Sequence, residues 1–409
     1  MIGTRVERDG LRVRVRRVPG APVVALRVMV GGGARVEEVP GQALITGRML
    51  AEGTRRRDWR RLAEDLESRG MILQTSGSTE AVGIALDALA PDLERALDWA
   101  AEILFEPAFA PDRCDWVRRQ AAAELESLAD QPEVLTAWGF QEQLYTPHPR
   151  ARPLHGDAAS LARLTTEDCS SFLAAGLARG LLVTLTGDLD EEEAADRVAA
   201  VFARAAGAAA SPAEPPEPQG GGPRREVRLR GGDQAHLYLG HLTVPRTHPE
   251  YTALEVLAVI LGAGSGLAGR VPTRIREREG LAYSTFAQTV AGAGLDPGRF
   301  MAYVGTGPEN LDQAEASVRD ELARLLAAGV TEPEVGEARA YLAGREPFRR
   351  ETARQWAEIL AEAEVYGLPV DDPQARAAAL AAVDRTAVEA AARRHLHPEA
   401  IKVTVGLPG

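Results

Sequence analysis

Pro40-Gly41-Gln42-Ala43-Leu44-Ile45-Thr46-Gly47-Arg48-Met49-Leu50-Ala51-Glu52-Gly53-Thr54 lies between two glycine stops. Before it, Met29-Val30-Gly31-Gly32-Gly33 ends a run that reads as a buried strand, and after it Gly53 suits the C′ position of a helix. The stretch between them predicts a helix of about three turns with a broad apolar face of Ala43, Leu44, Ile45, Met49 and Leu50. Taken alone it is a core helix. The surrounding chain makes it specific.

Residues 4–17 alternate around Asp9-Gly10, a two-residue hairpin signal, and 23–30 supply the next strand. A second helix is expected over 59–69, an antiparallel pair over 71–78 and 81–89, and a helix over 91–104 with Pro91 at its start. Helices then dominate to residue 177, a buried strand follows at 181–188, and a helix at 191–205. Residues 207–223, rich in Ala, Pro, Glu and Gly, read as a linker.

The second half repeats the order of the first: a strand at 235–244, helices from 249 and 266, a Glu279-Gly280 corner, paired strands at 281–291 and 299–305, and a long helical run. Arg69-Gly70-Met71 and Glu279-Gly280-Leu281 open the paired strands of the two halves, and Leu182-Val183-Thr184-Leu185-Thr186-Gly187-Asp188-Leu189 is echoed by Ile401-Lys402-Val403-Thr404-Val405-Gly406-Leu407. This is a duplicated domain and not a short-period solenoid. The expected fold is α+β, with two homologous domains at 1–206 and 224–409, each a mainly antiparallel sheet with helices packed on one face.

The opening of the chain resembles the M16 metallopeptidases, the pitrilysin and mitochondrial-processing-peptidase family. In active members the first helix carries His-x-x-Glu-His, whose two histidines share a helix face and ligate zinc while the glutamate serves as general base. Aligning Gly41 and the Met-Leu-x-x-Gly-Thr tail places that motif on Leu44, Gly47 and Arg48. Leu44 offers no lone pair, Gly47 no carboxylate, and Arg48 is a cation that repels metal. The family's further glutamate ligand falls on Glu124, in a helix expected over 116–128, where it reads as a remnant or as an ordinary ion-paired side chain. No metal is expected in this chain.

Arg274-Ile275-Arg276-Glu277-Arg278-Glu279-Gly280-Leu281-Ala282-Tyr283-Ser284 resembles the family segment that holds its Arg/Tyr pair. The resemblance assigns that pair to Arg276 and Tyr283, which in the family reach the substrate at the zinc site of an N-terminal domain. A guanidinium and a phenol are both donors, as a peptide carbonyl requires when it gains negative charge. From residue types alone, Arg276 is a solvated helix residue and Tyr283 a strand aromatic. Tyr145-Thr146-Pro147-His148-Pro149-Arg150-Ala151-Arg152-Pro153-Leu154-His155-Gly156 echoes a further family loop. Strand 80–89 matches the place where members add extended substrate to a sheet edge, or is an ordinary half-buried strand.

Composition narrows the rest. The 409 residues carry a net charge of −12 with no basic block, which argues against nucleic-acid or anionic-membrane partners. No apolar N-terminal segment or membrane-length apolar run occurs, so a cytoplasmic protein is expected. Cys114 and Cys169 form no motif and read as small buried or half-buried residues, and His148, His155, His236, His241 and His248 read as structural or surface groups. Gly262–Gly266 lacks the order of a phosphate loop.

The resemblance implies a non-catalytic subunit of a heterodimeric zinc peptidase, inactive alone. It would supply Arg276 and Tyr283 for peptide hydrolysis to a homologous partner that keeps the zinc motif. The isolated chain is free to form a homodimer. Two alternatives stay open: a purely structural M16-like scaffold, and an independent metalloendopeptidase with other ligands.

Overall fold

A computed structural model of the chain describes residues 3–8, 10–205, 214–263, 268–369 and 373–409. Asp9 of the expected hairpin, residues 207–213 of the expected linker, and Gly264 and Gly266 lie outside the described residues.

Two sheets are present. The first is built from β1 (Thr4–Arg8), β2 (Leu11–Arg17), β3 (Val23–Gly31), β4 (Ile72–Gly77), β5 (Ala81–Leu89) and β6 (Leu181–Gly187), in the order β1-β2-β6-β3-β5-β4. The second is built from β7 (Arg224–Arg228), β8 (Ala235–Leu242), β9 (Ala282–Ala291), β10 (Arg299–Thr306) and β11 (Lys402–Leu407), in the order β7-β11-β8-β10-β9. In each sheet a single neighbouring pair is parallel, β2 with β6 and β7 with β11, and the other pairings are antiparallel. Removing β1 makes the two sheets superimposable in order and direction. The duplication read from the sequence is therefore a duplication of topology.

Strand alternation sends successive side chains to opposite faces. On one face of the first sheet, Val24, Leu26, Val28, Val183 and Leu185 pack with Leu97, Ile103 and Val198 from the helices Leu93–Phe105 and Glu191–Val201. The opposite face is met by the helix Ala353–Tyr366, from the far half of the chain. There the Thr184 and Thr186 hydroxyls donate to the carbonyls of Ala357 and Ala353 at 2.9 and 2.6 Å, and Ala25 packs on both alanines. Arg12, Arg14 and Arg16 of β2 face this helix. Arg14 Nε lies 2.5 Å from Glu364 Oε1 with both side chains buried, and the Arg16 guanidinium lies 3.5 Å from the Trp356 ring centroid.

The second sheet shows the converse. Leu237, Leu239, Val403 and Val405 enter its main core, while Tyr238 stacks on Phe140 and the Thr404 hydroxyl donates to Gln143 Oε1 at 2.6 Å. Phe140 and Gln143 belong to the helix Pro132–Tyr145, from the first half of the chain. Each compact unit is thus assembled from three segments: 1–125, 148–216 and 348–370 in one, and 126–147, 217–347 and 371–409 in the other. Strands follow the two halves of the chain, and one helix of each unit does not.

The end of the composition-defined linker is pinned by hydrogen bonds. Gln219 and Gly220 donate to the Thr146 carbonyl at 2.9 and 2.8 Å, and Gln143 Nε2 donates to Gly222 at 2.7 Å. Strand β5 is paired on both sides, with β3 and with β4. The expected sheet edge at 80–89 is therefore corrected: β4 is the outer strand and has no β neighbour beyond it among the described residues. Cys114 and Cys169 are both buried, in one apolar cluster with Ile45 and Met49.

Candidate functional site

The first helix runs Gln42–Met49, about a turn shorter than its apolar pattern suggests, because the chain leaves helical pairing after Leu50. Gly53 does not cap it; at φ 110° it forms a bridge with Asp58. Gly41, at φ 89°, turns the chain into the helix, whose first amides are satisfied by Glu37: Gly41 N–H and Ala43 N–H donate to its two carboxyl oxygens, each at 3.1 Å. Burial pushes the Glu37 carboxyl up to about 7, against the pull of those amides and of Arg152.

The three positions aligned with the zinc motif have been put to other uses. Leu44 is buried. Gly47 lies against the edge strand so closely that a Cβ there would stand 2.3 Å from both Gly77 N and Ser76 C. A Cβ on Gly77 would in turn stand 2.0 Å from the Ala43 carbonyl oxygen. Two glycines at the crossing let the helix and β4 backbones meet with no side chain between them. A glutamate cannot occupy position 47 while they remain in contact.

Arg48 extends to Glu124 on the helix Pro111–Ala129, with Nη2 2.5 Å from Oε2. His155 completes the cluster, its Nε2 lying 3.3 Å from Glu124 Oε1 without hydrogen-bond geometry. The Arg48 hydrogen bond, opposed by partial burial and aided by His155, holds the Glu124 carboxyl below its usual range. A resident cation now neutralises the only carboxylate of the aligned set. Tested against zinc, the donor set fails: Leu44 and Gly47 contribute no ligand atom, Arg48 contributes a positive charge, and Glu124 is already paired. His155 belongs to the loop echo at 145–156, and nothing in its spacing from Glu124 points to their meeting.

The Arg276 and Tyr283 segment is built differently. Arg276 lies in the π-helical turn Thr273–Arg278, held by buried Ile275 and by Arg274, whose Nε lies 2.8 Å from Glu279 Oε1. Gly280 takes φ 63°, a left-handed corner, and the Leu281 N–H closes the turn on the Ile275 carbonyl at 2.9 Å. The chain then enters β9, one of the two outer strands of the second sheet among the described residues. Ala282 and Thr285 are buried, with the Thr285 hydroxyl donating to Tyr303 O at 2.8 Å, whereas Tyr283 is 90% exposed. Its phenol makes no hydrogen bond among the described residues. Arg276 is mostly covered, with Nη2 3.2 Å from Glu277 Oε1. The fold thus carries both residues on one tight turn-to-strand corner and leaves Tyr283 outside the packing of its own unit.

The family model described as Insulinase (Peptidase family M16) matches residues 12–157, and that described as Peptidase M16 inactive domain matches 180–342. An uncharacterised zinc protease of Mycobacterium leprae is 28% identical over 365 residues, covering 88% of this chain and 81% of the relative. A Helicobacter pylori protein named as a non-peptidase homolog is 25% identical over 346 residues, covering 83% and 78%. Among solved structures, a peptidase M16 inactive domain from Pseudomonas fluorescens matches with a TM-score of 0.90 and 25% identity, over 100% of this chain and 98% of the other.

Proposed function

The chain belongs to the peptidase M16 family, and from that membership, together with its missing ligand set, we propose that it is the non-catalytic subunit of a heterodimeric zinc peptidase. Its partner is a homologous chain with an intact His-x-x-Glu-His helix, which supplies the zinc and the general base. This chain supplies Arg276 and Tyr283. They bind the peptide and donate hydrogen bonds to the substrate carbonyl oxygen as negative charge grows on it. A cytoplasmic setting accords with the absence, among the described residues, of any helix long and apolar enough to cross a membrane.

The observation that carries this reading is the 90% exposure of Tyr283 at the head of an outer strand, on the corner that begins at Arg276. A strand tyrosine kept for packing would bury its ring, as Tyr238 and Tyr303 do on the same sheet. The test is peptide hydrolysis by this chain alone, by the zinc-bearing homologue alone, and by their mixture. Activity is expected in the mixture only, with kcat falling by about 10²–10³ on Arg276→Ala or Tyr283→Phe, as for loss of one preorganised donor. Hydrolysis by this chain alone overturns the proposal. A mixture whose activity ignores both substitutions supports the scaffold role in its place.

A further inference from the structure

In the second unit, three side chains that could ligate a metal converge away from every position aligned with the M16 zinc site. His248 precedes the helix Tyr251–Ala258, Glu250 is that helix's N-cap residue, and His395 is the last residue of the helix Arg385–His395. One ligand atom from each lies within 4.8 Å of the other two. His395 Nε2 is 2.7 Å from Glu250 Oε2, and the His248 and His395 rings stand edge to face with centroids 4.9 Å apart. The Glu250 N–H donates to His248 Nδ1 at 3.2 Å, which orients the ring.

We propose that His248, Glu250 and His395 bind a divalent transition-metal ion of the zinc class. Two imidazoles and one carboxylate form the donor set that suits such ions, with a fourth position left to water. The elements are placed to favour a cation: His395 closes the C-terminal end of its helix, where the unpaired carbonyls are negative. Binding requires the Glu250–His395 hydrogen bond to open by under about 1 Å, His248 to close on the pair, and each ligating ring nitrogen to exchange its proton or hydrogen bond for the ion. Arg394 Nη1, 2.5 Å from Glu250 Oε1, competes for the carboxylate from the solvent side.

An ion here would pin the start of one helix to the end of another in the second unit. The site is independent of the proposed subunit role.

The test uses the full-length chain stripped with chelator and titrated with Zn²⁺ against a chromophoric competitor, and with Co²⁺ followed by its visible d–d absorption. One equivalent is expected. His248→Ala and His395→Ala should each weaken binding by about 100-fold and bleach the Co²⁺ band, whereas Glu124→Gln leaves both unchanged. Arg394→Ala should tighten binding by up to about five-fold, the worth of one exposed ion pair. Circular dichroism of the metal-free variants checks that they fold. Absence of a saturable equivalent, or parental affinity retained in folded His248→Ala and His395→Ala, overturns the proposal.

Discussion

Replacing Gly47 with alanine should destabilise the protein, although the same change in an open helix stabilises. Alanine exceeds glycine by about 1 kcal/mol in helix propensity. At position 47 the new methyl would sit 2.3 Å from Gly77 N and from Ser76 C and 2.5 Å from Ser76 O, all backbone atoms of the edge strand or its flank. Carbon contacts relax near 3.5–4.0 Å, so the helix and β4 must part by about 1 Å. Overpacking of a formed core costs about 1–3 kcal/mol, and parting also loses the dispersion contacts across the crossing. The steric side wins, and a net loss of about 1–2 kcal/mol is expected. Gly336 provides the control. It lies within the helix Glu332–Arg345 with nothing within 4 Å of an added Cβ, so Gly336→Ala should gain about 1 kcal/mol. Equilibrium urea unfolding of the two variants and the parent measures both. Gly47→Ala as stable as the parent, or more so, refutes the claim that the helix–strand crossing excludes a side chain. It would also remove the steric reason why Leu44→His, Gly47→Glu and Arg48→His together should fail to give a zinc site on this helix.

Glu364→Ala should cost about 3–5 kcal/mol, because it strands buried Arg14 without its carboxylate; urea unfolding measures it, and a loss under about 1 kcal/mol contradicts the buried pair. Glu37 sets a pH dependence. Its folded value of about 7 exceeds the 4.5 of an ordinary glutamate, so between those values the native state holds a proton that the unfolded chain releases. Stability from this group is complete below pH 4.5 and is lost as pH rises through 7, a fall of about 3 kcal/mol. Glu37→Gln should flatten that slope relative to the parent in melts taken across the window, and identical slopes reject the assignment. Tyr283→Phe should leave the melting temperature of the chain unchanged, since the phenol makes no hydrogen bond among the described residues; a marked drop in a thermal melt would mark it as a packing residue.

Much of the site was legible because its signals are local. Loss of the zinc donors is read directly from Leu44, Gly47 and Arg48, since no fold gives leucine a lone pair. The Arg276-to-Tyr283 corner follows from a glycine between helix and strand. Other features have no local signature. Arg12, Arg14 and Arg16 alternate with Leu11, Val13 and Val15 as on a solvated strand face, yet Arg14 and Arg16 are covered by Glu364 and Trp356 from far along the chain. His248, in a loop before a helix, reads as a surface group until the fold brings His395 to it.

Sequence by itself determined the duplication, the strands and their likeness, and which residue types stand at positions 44, 47 and 48 of the first helix, because hydrophobic period, turn residues and ligand chemistry belong to residues and their near neighbours. Tertiary structure alone decided which helix covers the second face of each sheet, which strand lies at the edge, how closely Gly47 meets Gly77, and which histidines share a carboxylate. These depend on contacts between residues far apart in the chain, where many partners satisfy the same local pattern and packing selects one.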